Sequence, residues 1–569
     1  MGWGMDCWHR CSQRVRQNAM TFSQKCGVLF AVLLLVPLPW SETTRGSNGR
    51  AIVEAISMRG TQSSASEIQT HLRARIDSGL VEGSASVDVI SFRGIPYAAP
   101  PINGSRWRAP GPVVPWTDVR GAKEFGDDCM QIPEPHDPAL SRVAFSENCL
   151  MLNVWRPATW KQGEKLPVLV WIHGGAYVSG GSSPAIFDGS SFARRGVVFM
   201  SFNYRLGRFG FFSHPALVAA NEGPIGNFAL MDQIAALRWV KRNIASFGGD
   251  PNRVTLMGES AGAFSVLFLL TSPITRDLFQ RAIVLSGGGR ELLLGGTKLT
   301  GGTPPHPSAD QIGIAFAENV GIKGVGRQAL NDLRALPAEA LLGKLDHSTY
   351  VGGPIIDNDI VTDRPDRLLA ANKAWPLPVL IGTTIQDLAA DLPKPLDEAF
   401  SYFGPNIEKA RALYDRDSND DAAQVRLALG TDIAMQEPTR FVAKQITRLG
   451  VPAWLYRFGY IAQTMRSKQT AAAHASELPF LFDTLDARYG DAVSEKDRAV
   501  AKAFGGYVIN FVKIGQPNAS GMPLWPVFDP VRSELMVFTL NNGPVAQRDP
   551  WKDRLDLVEQ AAETLAKRQ

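Results

Sequence analysis

The sequence predicts an α/β fold: a mostly parallel central sheet with helices on both of its faces. Short apolar runs recur along the chain, each bounded by Gly, Pro, Asn or Ser. A stretch with helical apolar spacing lies between two of them. The composition, 45% hydrophobic and 20% charged over 569 residues, is that of a globular chain able to bury a large core. It excludes a disordered, collagenous or coiled-coil chain for the bulk. Lys+Arg number 59 and Asp+Glu 55, a net charge of +4, and no long basic block appears, so no nucleic-acid partner is expected. No CxxC or HExxH pattern occurs, so neither a metal nor any other cofactor is expected.

The first element reads as a targeting segment. Arg10, Arg14, Arg16 and Lys25 stand against one acid, Asp6, and an uncharged apolar stretch follows from Cys26 to Trp40. A basic region before a short apolar one is the layout of a secretory signal. The stretch falls short of the roughly 20 residues that cross a bilayer. Residues 1–40 are therefore expected to be a signal peptide, starting at Met1 or Met20, and the chain to be secreted or periplasmic with no stable membrane insertion after cleavage. An uncleaved membrane anchor and a cytosolic helix are the alternatives. Residues 41–74, poor in large apolar side chains for most of their length, read as a linker or mature tail. Residues 75–555 then form one domain. After cleavage only Cys129 and Cys149 remain, and two cysteines in an exported chain read as one disulfide, with two buried thiols as the alternative.

The strands follow in order: Pro167–Ile172, Val197–Phe202, Arg253–Met257, Ala282–Leu285, Pro378–Ile381 and Ala453–Phe458. Each is β-branched or aromatic-rich. Between the second and third, Leu230, Ile234, Leu237, Val240 and Ile244 recur at helical spacing and predict a helix over Asn227–Ile244. Strand and helix in alternation give a parallel sheet covered on both faces. Residues 290–375, Gly- and Pro-rich and then helical, read as an insertion packed over the sheet.

The strongest chemical signal is Gly258-Glu259-Ser260-Ala261-Gly262, between the strand RVTLM and the apolar helix AGAFSVLFLL. A sharp strand-to-helix turn presents a nucleophilic serine, and the glycines on either side give it room. The Ser260 oxygen then stands at a helix N-terminus, where free N–H groups favour an oxyanion. A second signal, His173-Gly174-Gly175-Ala176, directly follows a strand. Backbone N–H groups of Gly174, Gly175 and Ala176, with that of Ala261, are candidates for an oxyanion hole. The base must be one of the three histidines after Ser260: His306, His347 or His474.

With Phe92–Ala98, Glu147–Val154, Asn203–Gly207, Phe247–Pro251, Gly515–Asn518 and Trp525-Pro526, these motifs resemble the type-B carboxylesterase/lipase family. That family is the cholinesterase-like branch of the α/β-hydrolases. The resemblance covers about residues 75–530 and implies an α/β-hydrolase fold with helical insertions over the active site. It implies a serine carboxylesterase acting on a small-molecule ester through an acyl-enzyme. His474, in HASELPF, resembles the family's catalytic histidine. The family places an acid five residues after a strand-end glycine. Here Gly382 precedes Asp387, an Asp where most members carry Glu, and Leu388 replaces the family's following glycine. Asp391 is the alternative acid. Glu259 and Ser286 resemble family residues near the triad. The family's early disulfide maps onto Cys129–Cys149, and the loop it closes lacks the Trp that holds choline esters in cholinesterases. Arg208 and Arg290 are candidates to bind an anionic acyl group, such as a polycarboxylate ester of the fumonisin type, with an ordinary surface arginine as the alternative for each. A catalytically inactive cholinesterase-like adhesion or binding protein is the other function class, and a lidded lipase a third reading. The oligomeric state is left open.

Overall fold

The computed structural model of the chain describes residues 71–133, 139–290, 296–415, 421–541 and 543–567. The expected signal segment and nearly all of the linker lie outside them. One mixed sheet of eleven strands dominates: β1 (Ser84–Ser86), β2 (Val89–Pro96), β3 (Met151–Pro157), β4 (Leu166–Ile172), β5 (Val198–Phe202), β6 (Gly249–Glu259), β7 (Arg281–Leu285), β8 (Val379–Thr384), β9 (Ala453–Phe458), β10 (Glu534–Thr539) and β11 (Gly543–Arg548). Their spatial order is β11-β10-β9-β8-β7-β6-β4-β5-β3-β2-β1. The block from β5 to β10 is parallel throughout, and the edges are antiparallel.

The six expected strands all fall inside the parallel block. Their apolar runs are continuous because both faces are covered. In β4, Val168, Val170 and Ile172 point into one core, and Leu169 and Trp171 into the other. The first core takes helices α1 (Phe228–Asn243) and α2 (Ala261–Thr271). Every residue of α2 is buried, which matches its lack of a polar face. The second core takes Val500, Phe504 and Val508 from the long helix α5 (Glu495–Ile514). Before α5 come α3 (Ala422–Thr431) and α4 (Glu437–Arg448), and after it α6 (Lys552–Ala566).

The insertion over 290–375 contributes the helices Ala309–Asn319, Arg327–Ala335, Ala338–Leu342 and Pro365–Ala370. Their Phe316, Leu330, Leu333, Leu341 and Leu369 join the first core, so the insertion packs as part of the domain.

Cys129 and Cys149 are disulfide-bonded and both buried. Closing a loop of 20 residues is worth about 3 kcal/mol in the chain-entropy model. Thiol titration of the denatured, unreduced chain from residue 41 onward is expected to find no free thiol, and reduction to lower the melting temperature. Two titratable thiols there would show that the bond does not form.

Candidate active site

Ser260 lies between the end of β6 and the start of α2, at the helix N-cap, with φ 54° and ψ −124°. A non-glycine residue holds such a backbone only under constraint from its surroundings. The turn is so tight that a Cβ on Gly258 would lie 2.3 Å from Gly262 O, and one on Gly262 would lie 2.1 Å from Ile172 O. Both glycines are therefore steric requirements of the elbow. The Ser260 N–H donates to Leu285 O at 3.0 Å, tying the elbow to the neighbouring strand.

The segment after β4 lies against this turn. A Cβ on Gly174 would stand 3.0 Å from Ser260 Cβ. Gly175, Ala176 and Tyr177 all have left-handed backbones, at φ 104°, 55° and 62°. These residues lie outside any strand or helix ladder, and the N–H groups of Gly174, Gly175 and Ala176 remain the candidate oxyanion donors. The N–H of Ala261, in the first turn of α2, has no intrahelical acceptor. Behind the segment, the His173 ring stacks on Tyr204 at 4.4 Å. Burial pushes His173 down to about 4, so it is neutral near pH 7 and serves to pack the segment.

Asp387 and His474 meet at the ends of β8 and β9. The acid loop is pinned to the histidine loop by Gln386 N–H donating to Ala472 O at 2.9 Å, and Ile385 N–H reaches Phe458 O at 2.9 Å. His474 Nδ1 lies 2.6 Å from Asp387 Oδ1, and Nε2 lies 3.2 Å from Glu259 Oε1. Ser260 Oγ and the imidazole are not hydrogen-bonded to each other in this structure. In substrate-free sites such bonds are often long and tighten only in the complex. Four donors converge on the Asp387 carboxylate. Leu388 N–H, at 2.8 Å, joins His474 at Oδ1, while Ser286 Oγ–H at 2.6 Å and Thr384 N–H at 3.0 Å reach Oδ2. Burial acts to raise the Asp387 carboxyl, but the charge and hydrogen bond of His474, with the Ser286 hydroxyl, hold it below its ordinary value. Burial lowers His474, and the Glu259, Asp387 and Glu477 charges outweigh it and raise the imidazole. Asp391 is exposed, as are His306 and His347.

Glu477 is the group that motif reading passed over. Its buried carboxylate lies 3.5 Å from Ser286 Oγ. Burial and the Glu259 and Asp387 charges push it up to about 8. The available signal was an acid three residues after His474, directly before the apolar Leu478-Pro479-Phe480.

The two arginines offered as anion binders are engaged elsewhere. Arg208 is buried and gives all its donors to Thr349 O, Leu341 O, Gly343 O, Lys344 O and Thr349 Oγ1, with its guanidinium 4.4 Å from the Phe316 ring centroid. It is a strut that ties the insertion down, neither a surface residue nor a free cation. Arg290 forms two bonds of 2.7 Å to the buried Glu437 and lies 3.8 Å from the Phe441 ring centroid. Its charge is already matched within the protein.

The model of the carboxylesterase family matches residues 66–403 and 406–555. The chain is 33% identical to para-nitrobenzyl esterase of Bacillus subtilis (strain 168), over 84% of this chain and 98% of that one. It is 30% identical to fumonisin B1 esterase of Sphingopyxis macrogoltabida, over 88% and 93%. A solved structure of a PNB esterase superposes with a TM-score of 0.73 at 32% identity, covering 86% of this chain and 99% of that one.

Proposed function

The chain belongs to the carboxylesterase family and is a carboxylic ester hydrolase; from that premise we propose that Ser260, His474 and Asp387 form its catalytic triad. The observation that carries the assignment is the 2.6 Å contact between Asp387 and His474 Nδ1, with Nε2 3.2 Å from Oε1 of Glu259, the residue before Ser260. Asp387 holds the proton on Nδ1, so Nε2 is the basic edge. His474 Nε2 takes the Ser260 proton as Oγ attacks the ester carbonyl. The N–H groups of Gly174, Gly175, Ala176 and Ala261 receive the oxyanion. The imidazolium then protonates the departing alcohol and leaves an acyl-enzyme. Water, deprotonated by the same nitrogen, releases the acid and restores Ser260. No step calls for a cofactor.

We propose further that residues 1–40 export the chain. The basic-then-apolar layout supports this, as does a disulfide, which persists in oxidising compartments. Among the described residues no helix is long and apolar enough to cross a membrane.

For the substrate, neutral small esters are the primary reading, because Arg208 gives all its donors to the insertion and the charge of Arg290 is already matched by Glu437. The polycarboxylate ester remains a second reading, favoured by the 30% identity to fumonisin B1 esterase. Turnover of short-chain aryl esters, compared with a tricarboxylate ester of the same alcohol, separates the two. The expected result is higher kcat/KM on the neutral ester. Preference for the tricarboxylate would overturn the primary reading.

A further inference from the structure

The proposed triad works only if the Asp387 carboxylate is held in place, and that depends on residues 383–387 as they leave β8. Between α3 and α4 the helix passes through one π turn, Asp432–Gln436. Such a turn inserts one residue, which rotates the side chains beyond it by about 100° relative to an unbroken helix. Gln436, the last residue of that turn, is buried and uses both ends of its amide. Its Nε2 donates to Thr384 O at 2.7 Å. Its Oε1 accepts from Thr383 Oγ1 at 2.8 Å and from Arg457 Nε at 3.0 Å. Thr384 is also the residue whose N–H donates to Asp387 Oδ2 at 3.0 Å. One residue is therefore held at its carbonyl by Gln436 and holds the candidate acid at its N–H.

The anchor behind Gln436 is buried and paired on its far side. Arg457 makes two bonds to Asp549, at 2.8 and 3.1 Å, and its guanidinium lies 3.9 Å from the Trp551 ring centroid. Arg457, Asp549, Thr383 and Thr384 are all buried. The segment that leads into α6 is thus joined through Arg457 and Gln436 to the acid loop.

We propose that Gln436 is a positioning residue for ester hydrolysis: through Thr384 it fixes Asp387 against His474. This rests on the triad reading above. A role in packing alone would leave the chemistry of the imidazole untouched. A positioning role changes it, because a carboxylate that relaxes away from Nδ1 both orients the ring less well and stabilises its charged form less.

The sign follows from the surroundings of His474. Glu259, Glu477 and Asp387 face it, and their charges raise its pKa against the effect of burial. Weakening the Asp387 contact lowers that pKa. The imidazole must be neutral to accept the Ser260 proton, so the acid limb of kcat/KM moves to lower pH.

The test uses two variants of the full chain, with kcat, KM, pH profile and melting curve measured for each. Gln436→Met keeps the length and removes every hydrogen bond. Gln436→Glu keeps the acceptor for Arg457, whose charge keeps the new carboxylate ionised, and replaces the donor to Thr384 O with an oxygen that repels it. The second variant carries the test if the first does not fold. Both are expected to lose about ten- to a hundredfold in kcat, the scale of a misplacement near 1 Å. KM should change little, and in Gln436→Met, which adds no charge, the acid limb should fall by about half a pH unit. Wild-type kcat in both variants, with an unmoved acid limb in Gln436→Met, whatever the melting temperatures, would overturn the proposal. Retained activity in Asp387→Asn would instead overturn the triad reading beneath it.

Discussion

Ser260→Ala is expected to reduce kcat for ester hydrolysis by about a million-fold, the scale seen when the nucleophile of a serine triad is removed. Ser260 occupies the one elbow where Gly258 and Gly262 let β6 turn directly into α2. The substitution removes a single oxygen. The left-handed backbone is already imposed by the fold, and alanine meets the same strain as serine there. The melting curve should therefore stay close to wild type, which separates lost chemistry from lost structure. Residual turnover would come from the oxyanion donors and from binding. Near wild-type turnover in a folded variant would remove Ser260 from the mechanism.

Asp387→Asn should lose up to about ten-thousand-fold in kcat, because an amide favours the wrong imidazole tautomer. The site makes this substitution harsher than its size implies. Leu388 N–H, Thr384 N–H, the Ser286 hydroxyl and His474 Nδ1 all present donors to the carboxylate. An asparagine NH2 meets a donor whichever way it turns. It must either displace His474 or leave a buried donor unpaired, and the latter costs about 1–3 kcal/mol. Asp387→Glu keeps the acceptor but displaces it by about 1 Å, so a loss nearer a hundredfold is expected. Asp391→Asn should be mild, since Asp391 is exposed. Activity measured with melting curves checks the ranking. The reverse order, with Asp391→Asn inactive and Asp387→Asn active, would move the acid.

The legible part of the fold was the part buried on both faces. In β4 the alternation between two cores makes every position apolar, and PVLVWI announces itself. The antiparallel edges carry no such signal. Ser84–Ser86 and Gly543–Arg548 are short or polar and partly exposed, and β2 contains Arg93 and Gly94 in mid-strand. The elbow was legible because its constraint is local: five consecutive residues set it. The acid and the base needed the family resemblance, since Asp387 and His474 are separated by 87 residues and only the fold joins them. The surroundings of Arg208 and Arg290 were illegible for the same reason in reverse. A sequence displays their charge but not the carbonyls of 341–349, nor Glu437, 147 residues away from Arg290, that absorb it. Gln436 is a neutral residue in a helical stretch, and nothing local distinguishes it. Its importance comes entirely from Thr383, Thr384 and Arg457, which other strands bring to it.

The proposed mechanism requires Ser260 to be an activated nucleophile in the folded protein. The most direct measurement is reaction of the purified chain with a fluorophosphonate, followed by peptide mapping by mass spectrometry. The expected result is one adduct per chain, on the peptide containing Gly258–Gly262, loss of esterase activity in proportion to labelling, and no adduct in Ser260→Ala. An unlabelled but fully active enzyme, or stoichiometric labelling of a different serine that abolishes activity, would contradict it.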